Sequence, residues 1–214
     1  SIVPLLINLV SAAFCLGCSA FFHLYFVRSE KMADVLSRLD YGGISVLIFG
    51  SACPVIVYGF SCEGEFLQRW LWLAAQALLC GTCFVVTLIK QFDKPKFRPL
   101  RAGLFIFAGL AIIGAFTALN INPNANKIGV FPWIFGAGGA VYITGAVIYA
   151  MRVPERCTPG RFDLCGASHQ IFHFAVLGGC AIHFWQNYEL FNERQVFECP
   201  MDLESKVKSH LKSS

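Results

Sequence analysis

The chain has 214 residues, 56% of them hydrophobic and only 14% charged, with a formal net charge of +4 and a mean hydropathy of +0.60. Soluble domains carry about 25% charged residues, so an ordinary water-soluble globule is excluded. The basic residues form no dense patch with interleaved aromatics, and this argues against a nucleic-acid partner.

Six stretches contain no Asp, Glu, Lys or Arg: residues 1–27, 41–62, 70–89, 102–125, 128–151 and 164–188. Each reaches the length of about 18 residues that a helix needs to cross the hydrocarbon core. The pattern predicts an all-α, polytopic membrane helical bundle over residues 1–188, with spans at about 2–27, 41–62, 70–89, 102–120, 130–151 and 169–188. A polar tail follows at 189–214, with a short helix expected at 203–211 and His210 in solvent. The chain opens on Ser1 instead of Met and is apolar by Ile2, without a basic signal-peptide start. It is therefore expected to be part of a longer protein with a further span upstream.

In chain order, the first span ends at His23, with Ser19 one turn earlier on the same face. Cys15 and Cys18, like Cys80 and Cys83 of the third span, read as small packing residues because nothing completes a second ligand pair. Asp40 closes the first loop and leads into the second span, where Pro54 predicts a kink. The run 93–101 is a basic loop suited to anionic lipid heads. In the fifth span, Gly136, Gly138, Gly139 and Gly145 permit close helix contacts. The sixth span opens with His169 and His173, and His183 near its other end reads as a hydrogen bond between helices.

Loop charges set an orientation. Arg28, Lys31 and Arg38 lie in the first loop, Lys90, Lys94, Lys96, Arg98 and Arg101 in the third, and Arg152, Arg156 and Arg161 in the fifth. The second and fourth loops hold only Arg69 and Lys127. Short basic loops face the cytoplasm, so the tail is expected to be extracytoplasmic. Cys62 and Cys199 then share the oxidising side, where they can pair as a disulfide. The same topology puts His23, Asp40, His169 and His173 at one depth, in the cytoplasmic leaflet.

Ionisable groups at membrane depth are costly and mark functional sites. His169 and His173 lie four residues apart, so a helix presents both imidazoles on one face. With His23 they form a three-nitrogen set suited to Zn²⁺ with one position open. Zinc lowers the pKa of its water to about 7, and Asp40 is placed to hold that water or take its proton. Ser19 can donate to the same site. Asp40 could instead simply cap the second span. A pair of stacked haems on His169 and His183 would need matching histidines on a partner helix, and only His23 is available.

Three segments carry a resemblance: Ser19-Ala-Phe-Phe-His23, Leu39-Asp40-Tyr41-Gly42-Gly43 and Ser168-His169-Gln170-Ile171-Phe172-His173. They resemble the signature motifs of the progestin and adipoQ receptor family. Arg101-Ala102-Gly103, Tyr142-Ile143-Thr144-Gly145, Pro154-Glu155-Arg156 and Pro159-Gly160 look like its adiponectin receptor branch. The resemblance runs from about Val10 to His183. It implies seven membrane helices with a cytoplasmic N-terminus and an extracellular C-terminus, the stretch 2–27 standing where the family has its second helix. It also implies a zinc ion on His23, His169 and His173, with Asp40 interacting with the zinc-bound water. The implied partners are membrane lipids, an adiponectin-like or other extracellular ligand and a lipid substrate such as ceramide, and the implied setting is the plasma membrane or an endomembrane. The function expected from the whole is a receptor in lipid and glucose metabolic signalling whose zinc site hydrolyses a lipid amide. The alternative is a non-catalytic receptor or scaffold in which zinc is purely structural. A proton relay or transporter comes third, since the polar groups cluster at one depth and form no path across the membrane.

Overall fold

The computed structural model describes residues 1–121, 132–162, 164–196 and Cys199. The expected tail helix at 203–211, His210 and Lys127 lie outside the described residues. Within them the regular structure is helical: α1 (Val3–Tyr25), α2 (Glu30–Gly59), α3 (Phe66–Thr87), α4 (Arg98–Leu110), α5 (Ile112–Ile121), α6 (Pro132–Met151) and α7 (Ser168–Val196), with short 3₁₀ turns at Glu63–Glu65, Lys90–Asp93 and Pro95–Phe97. Only Ala111 separates α4 from α5, so the two make one interrupted rod of 24 residues. That rod, α1, α2, α3 and α6 counted from Trp133 are each long and apolar enough to cross a membrane. The 29 residues of α7 are more polar, and its polar side chains Ser168, His183, Gln186 and Asn187 are buried inside the bundle. This is an integral, multi-pass membrane protein.

The second helix begins earlier than the charge pattern suggests. Ser29 caps it, its hydroxyl accepting from the Met32 amide at 3.2 Å, and Glu30 occupies the favourable first turn. At 1.5 Å per residue its 30 residues extend about 45 Å, more than the hydrocarbon core of about 30 Å. Most of the first loop is thus the projecting start of α2, where Asp34 pairs with Lys90 at 2.9 Å and with Arg38 at 3.8 Å. Asp40 lies well inside the helix, and a capping role for it is ruled out. Arg98 and Arg101 likewise belong to α4 and not to the third loop. Pro54 sits within α2, and the helix runs through it.

Around α2 the other helices gather. It packs against α1, α3, α4, α5 and α7, while α6 packs chiefly against α7 and α4. The main apolar core joins Ala52, Val55, Ile56 and Phe60 from α2 and its end to Ile112, Ala115 and Phe116 of α5 and Phe135 of α6. Polar atoms in the interior are tied across helices: Gln76 Nε2 donates to the Ala108 carbonyl at 3.0 Å, and Asn187 Nδ2 to the Ser51 carbonyl at 3.0 Å. Where the chain leaves α2, Cys62 is disulfide-bonded to Cys199, with Cα atoms 5.8 Å apart.

Buried residues of α1 fall at Leu5, Asn8, Ser11, Cys15 and Ser19, a stripe with helical spacing that faces α2. The closest approach is at Gly50, where an added Cβ would overlap the Ser11 side chain. Gly50→Val is expected to push α1 off α2 and destabilise the protein by about 1–3 kcal/mol. Gly17→Val, facing open space with nothing within 4 Å of the new carbon, is expected to be nearly neutral. Thermal unfolding of both variants in detergent checks the contrast.

Candidate metal centre

The stripe that buries α1 ends one turn before His23, so burial of Ser19 directs the His23 ring towards the neighbouring helix end. That end is the start of α7, where His169 and His173 occupy successive turns. The ring centroids lie 5.0 Å apart for His23 and His169, 5.2 Å for His23 and His173, and 4.7 Å for His169 and His173. His23 Nε2 and His173 Nε2 approach to 3.2 Å, and one nitrogen from each ring falls within 4.8 Å of the others. A tetrahedral ion with Zn–N bonds of about 2.0–2.1 Å holds its nitrogens about 3.3 Å apart. The donor set therefore fits such an ion in kind, and the His23–His173 pair fits it in spacing.

Asp40 and Ser19 line the same narrow pocket as His169 and His173, together with Tyr41 and Tyr149. The Asp40 carboxyl lies beside the Ser19 hydroxyl and the His23 ring. The Ser19 Oγ is buried, and the Asp40 carboxyl is its neighbour in the pocket. All five residues singled out from the sequence are thus brought to one place, and His23 is the most exposed of the three histidines.

The contacts around Tyr41 are not apparent from the sequence. Tyr41 and Tyr149 share a hydrogen bond at 3.1 Å, and Arg101 Nη2 donates to the Tyr41 hydroxyl at 3.2 Å. Arg101 also donates to the Phe92 carbonyl, and its guanidinium lies 4.5 Å from the Tyr41 ring centre. Arg101 is only 5% exposed, and among the described residues no acidic side chain pairs with it. Charge counting assigns this arginine to a loop. Its place one turn into a helix, facing an aromatic, emerges only from the packing of α4 on α2.

Behind these tyrosines opens a cavity of about 660 Å³ between α2, α4, α5, α6 and α7. Its walls are apolar, including Leu47, Phe105, Ile106, Ile113, Phe116 and Ile143. Tyr41, Ile44, Tyr149, Phe172 and Val176 line both the cavity and the Asp40 pocket, so the two spaces adjoin.

The first turn of α7 is held from the preceding loop. Glu155 Oε2 accepts from the Ser168 amide at 2.8 Å, and Ser168 Oγ donates to Glu155 Oε1. Gln170 adds a second clamp, accepting from the Gly166 amide at 2.6 Å and donating to the Leu164 carbonyl at 3.1 Å. These contacts satisfy helix-start amides and fix the backbone on which His169 stands. Burial pushes the Glu155 carboxyl upward, but the Ser168 hydrogen bonds outweigh it and hold the group below its usual range.

The sequence profile described as Haemolysin-III related matches residues 1–184. The chain is 37% identical over 201 residues to the Adiponectin receptor protein of Drosophila melanogaster, covering 91% of this chain and 44% of that protein. It is 35% identical over 200 residues to Heptahelical transmembrane protein 4 of Arabidopsis thaliana, covering 92% of this chain and 51% of that protein. Against Heptahelical transmembrane protein ADIPOR2 of Oryza sativa subsp. japonica it is 37% identical over 193 residues, covering 90% and 83%. The chain spans about half the length of the first two relatives and most of the third.

Because the folded carboxyl of Glu155 titrates below its unfolded value, its contribution is present above the ordinary carboxylate range and lost as pH falls through the lowered value. Glu155→Gln is expected to weaken protection of the first turn of α7 at every pH, with no acid-dependent step. Hydrogen exchange measured by mass spectrometry, corrected for intrinsic rates, distinguishes this from the acid-sensitive protection of the wild type.

Proposed function

The chain belongs to the haemolysin-III related family, that of the progestin and adipoQ receptors, and from this we propose an adiponectin-receptor-like membrane receptor whose His23, His169 and His173 hold a zinc ion. The observation that carries the reading is the convergence of three imidazoles from two helix ends, within 4.8 Å of one another, in an otherwise apolar bundle. The basic loops favour a cytoplasmic depth for this cluster and an extracytoplasmic tail. The Cys62–Cys199 disulfide, at the opposite end of α2, supports the same orientation. The name of the Drosophila relative supports an adiponectin-like extracellular ligand.

We infer further that the site hydrolyses a lipid amide, ceramide being the representative substrate. The apolar cavity accepts the acyl chain and presents the amide carbonyl to the histidine pocket. When bound, zinc supplies a Lewis acid and a nucleophilic water at neutral pH. An Asp40 carboxylate oxygen accepts the proton given up by the attacking water and returns it to the amine nitrogen as the C–N bond breaks. The Ser19 hydroxyl donates to the Asp40 carboxylate and keeps it aimed. Arg101, a buried cation beside Tyr41, receives the carboxylate that cleavage releases.

One observation favours a second reading, in which zinc is purely structural. α1 packs mainly on α2 and touches α7 only lightly, so a metal held by His23, His169 and His173 would be its chief tie to that helix. Metal analysis and turnover separate these readings. The purified protein is expected to carry about one zinc per chain, lost in the His169→Ala, His173→Ala double variant; metal-free wild type overturns the site. Asp40→Ala with zinc retained is expected to lower ceramide hydrolysis by about 10²–10⁴-fold. Unchanged hydrolysis, or none in the wild type, selects the structural role.

A further inference from the structure

The free cysteines among the described residues fall into two groups. Cys15, Cys18, Cys53, Cys80, Cys83 and Cys180 lie within membrane helices and are buried or half-buried. Cys157 and Cys165 are exposed. Both belong to the loop that joins α6 to α7, Cys157 just after Met151 and Cys165 just before Ser168.

This loop cannot carry its thiols far from the membrane. The short run of chain from Cys165 to Ser168, the first residue of α7, reaches at most about 11 Å even when extended. The Arg156 amide donates to the Arg152 carbonyl at 2.8 Å and the Cys157 amide to the Pro154 carbonyl at 2.9 Å, so the chain turns as it leaves α6 instead of extending. Glu155, in the same turn, accepts from the Ser168 amide at 2.8 Å, which folds the turn back on the start of α7. The rest of the loop has the make-up of a surface lying on lipid. Arg152, Arg156 and Arg161 are exposed and suit phosphate heads. Leu164, beside Cys165, is 94% exposed, the most exposed large apolar side chain among the described residues. In water such a leucine gains nothing, whereas at a bilayer surface it enters the boundary between heads and acyl chains. A pair of exposed thiols at this depth can carry acyl chains that run straight into the bilayer beside the helix ends.

We propose that the α6–α7 loop is S-acylated on Cys157 and Cys165, with a long-chain acyl-coenzyme A as the donor. The thiol sulfur attacks the thioester carbonyl carbon, the bond from that carbon to the sulfur of coenzyme A breaks, and the thiol proton leaves with coenzyme A. One thioester replaces another, so no oxidant or reductant is needed, and hydrolysis removes the chain again. This inference rests on the cytoplasmic placement of the loop and not on the histidine cluster holding zinc.

Acyl exchange on the full chain, expressed in a eukaryotic host, tests it. Free thiols are blocked after reduction, thioesters are cleaved with hydroxylamine, and each thiol so uncovered receives a polymer mass tag. Two hydroxylamine-dependent tags are expected in the wild type, one in Cys157→Ser, one in Cys165→Ser and none in the double variant. Intact mass before cleavage is expected to show the matching long-chain acyl increments. No tag in the wild type, tags undiminished in the double variant, or increments that are not acyl chains overturns the proposal. A single wild-type tag overturns it for the cysteine whose replacement leaves that tag in place. In sealed microsomes, which turn their cytoplasmic face outward, an impermeant maleimide reports the side on which the loop lies. Loop thiols reached without detergent yet never acylated sink the proposal alone, whereas thiols reached only after detergent overturn the orientation together with it.

Discussion

Inside a bilayer every polar atom must find its partner within the protein, because no water is there to supply one. The architecture follows from this constraint. The helices α2 and α7 lie against each other and are joined by the Asn187 to Ser51 bond. Gln76 and His183 spend their donors on carbonyls of neighbouring helices for the same reason. The outer faces of α1, α3 and α6 carry Leu, Val, Phe and Trp side chains, which lipid solvates without cost.

Glycine divides the work of α6 in two. At Gly138 and Gly145 an added carbon would collide with His183 and Ala175 of α7, whereas Gly136 and Gly139 have nothing within 4 Å and line the cavity. One pair permits helix contact, and the other leaves volume unfilled. A stripe of small residues read from sequence predicts only the first of these effects.

The spans, the three histidines, Asp40 and Ser19 were legible in the sequence because charge is expelled from hydrocarbon and a spacing of four aligns side chains on a helix. Helix ends were less legible. Charge marks where the hydrocarbon stops and not where hydrogen bonding stops, so the start of α2 at Glu30 and of α4 at Arg98 was hidden by residues that look like loop. Arg101, quoted only within a motif and counted as a loop charge, had its burial hidden for that reason, since a cation near a boundary reads as solvent-facing unless its aromatic neighbour is known. Glu155 was visible only as part of a motif. Its role depends on a loop folding back over 13 residues to the Ser168 amide, which no local pattern encodes.

The bond between Cys62 and Cys199 closes a covalent ring of the intervening chain, with a sequence separation of 137. Helices α3 to α7 lie inside that ring, while α1 and α2 form an arm outside it. The histidine cluster straddles this boundary: His169 and His173 belong to the ring, and His23 to the arm with Ser19 and Asp40. Lifting the arm from the ring parts His23 from its two companions, though every helix stays intact. Whatever occupies the cluster thus senses the docking of one part of the molecule on the other.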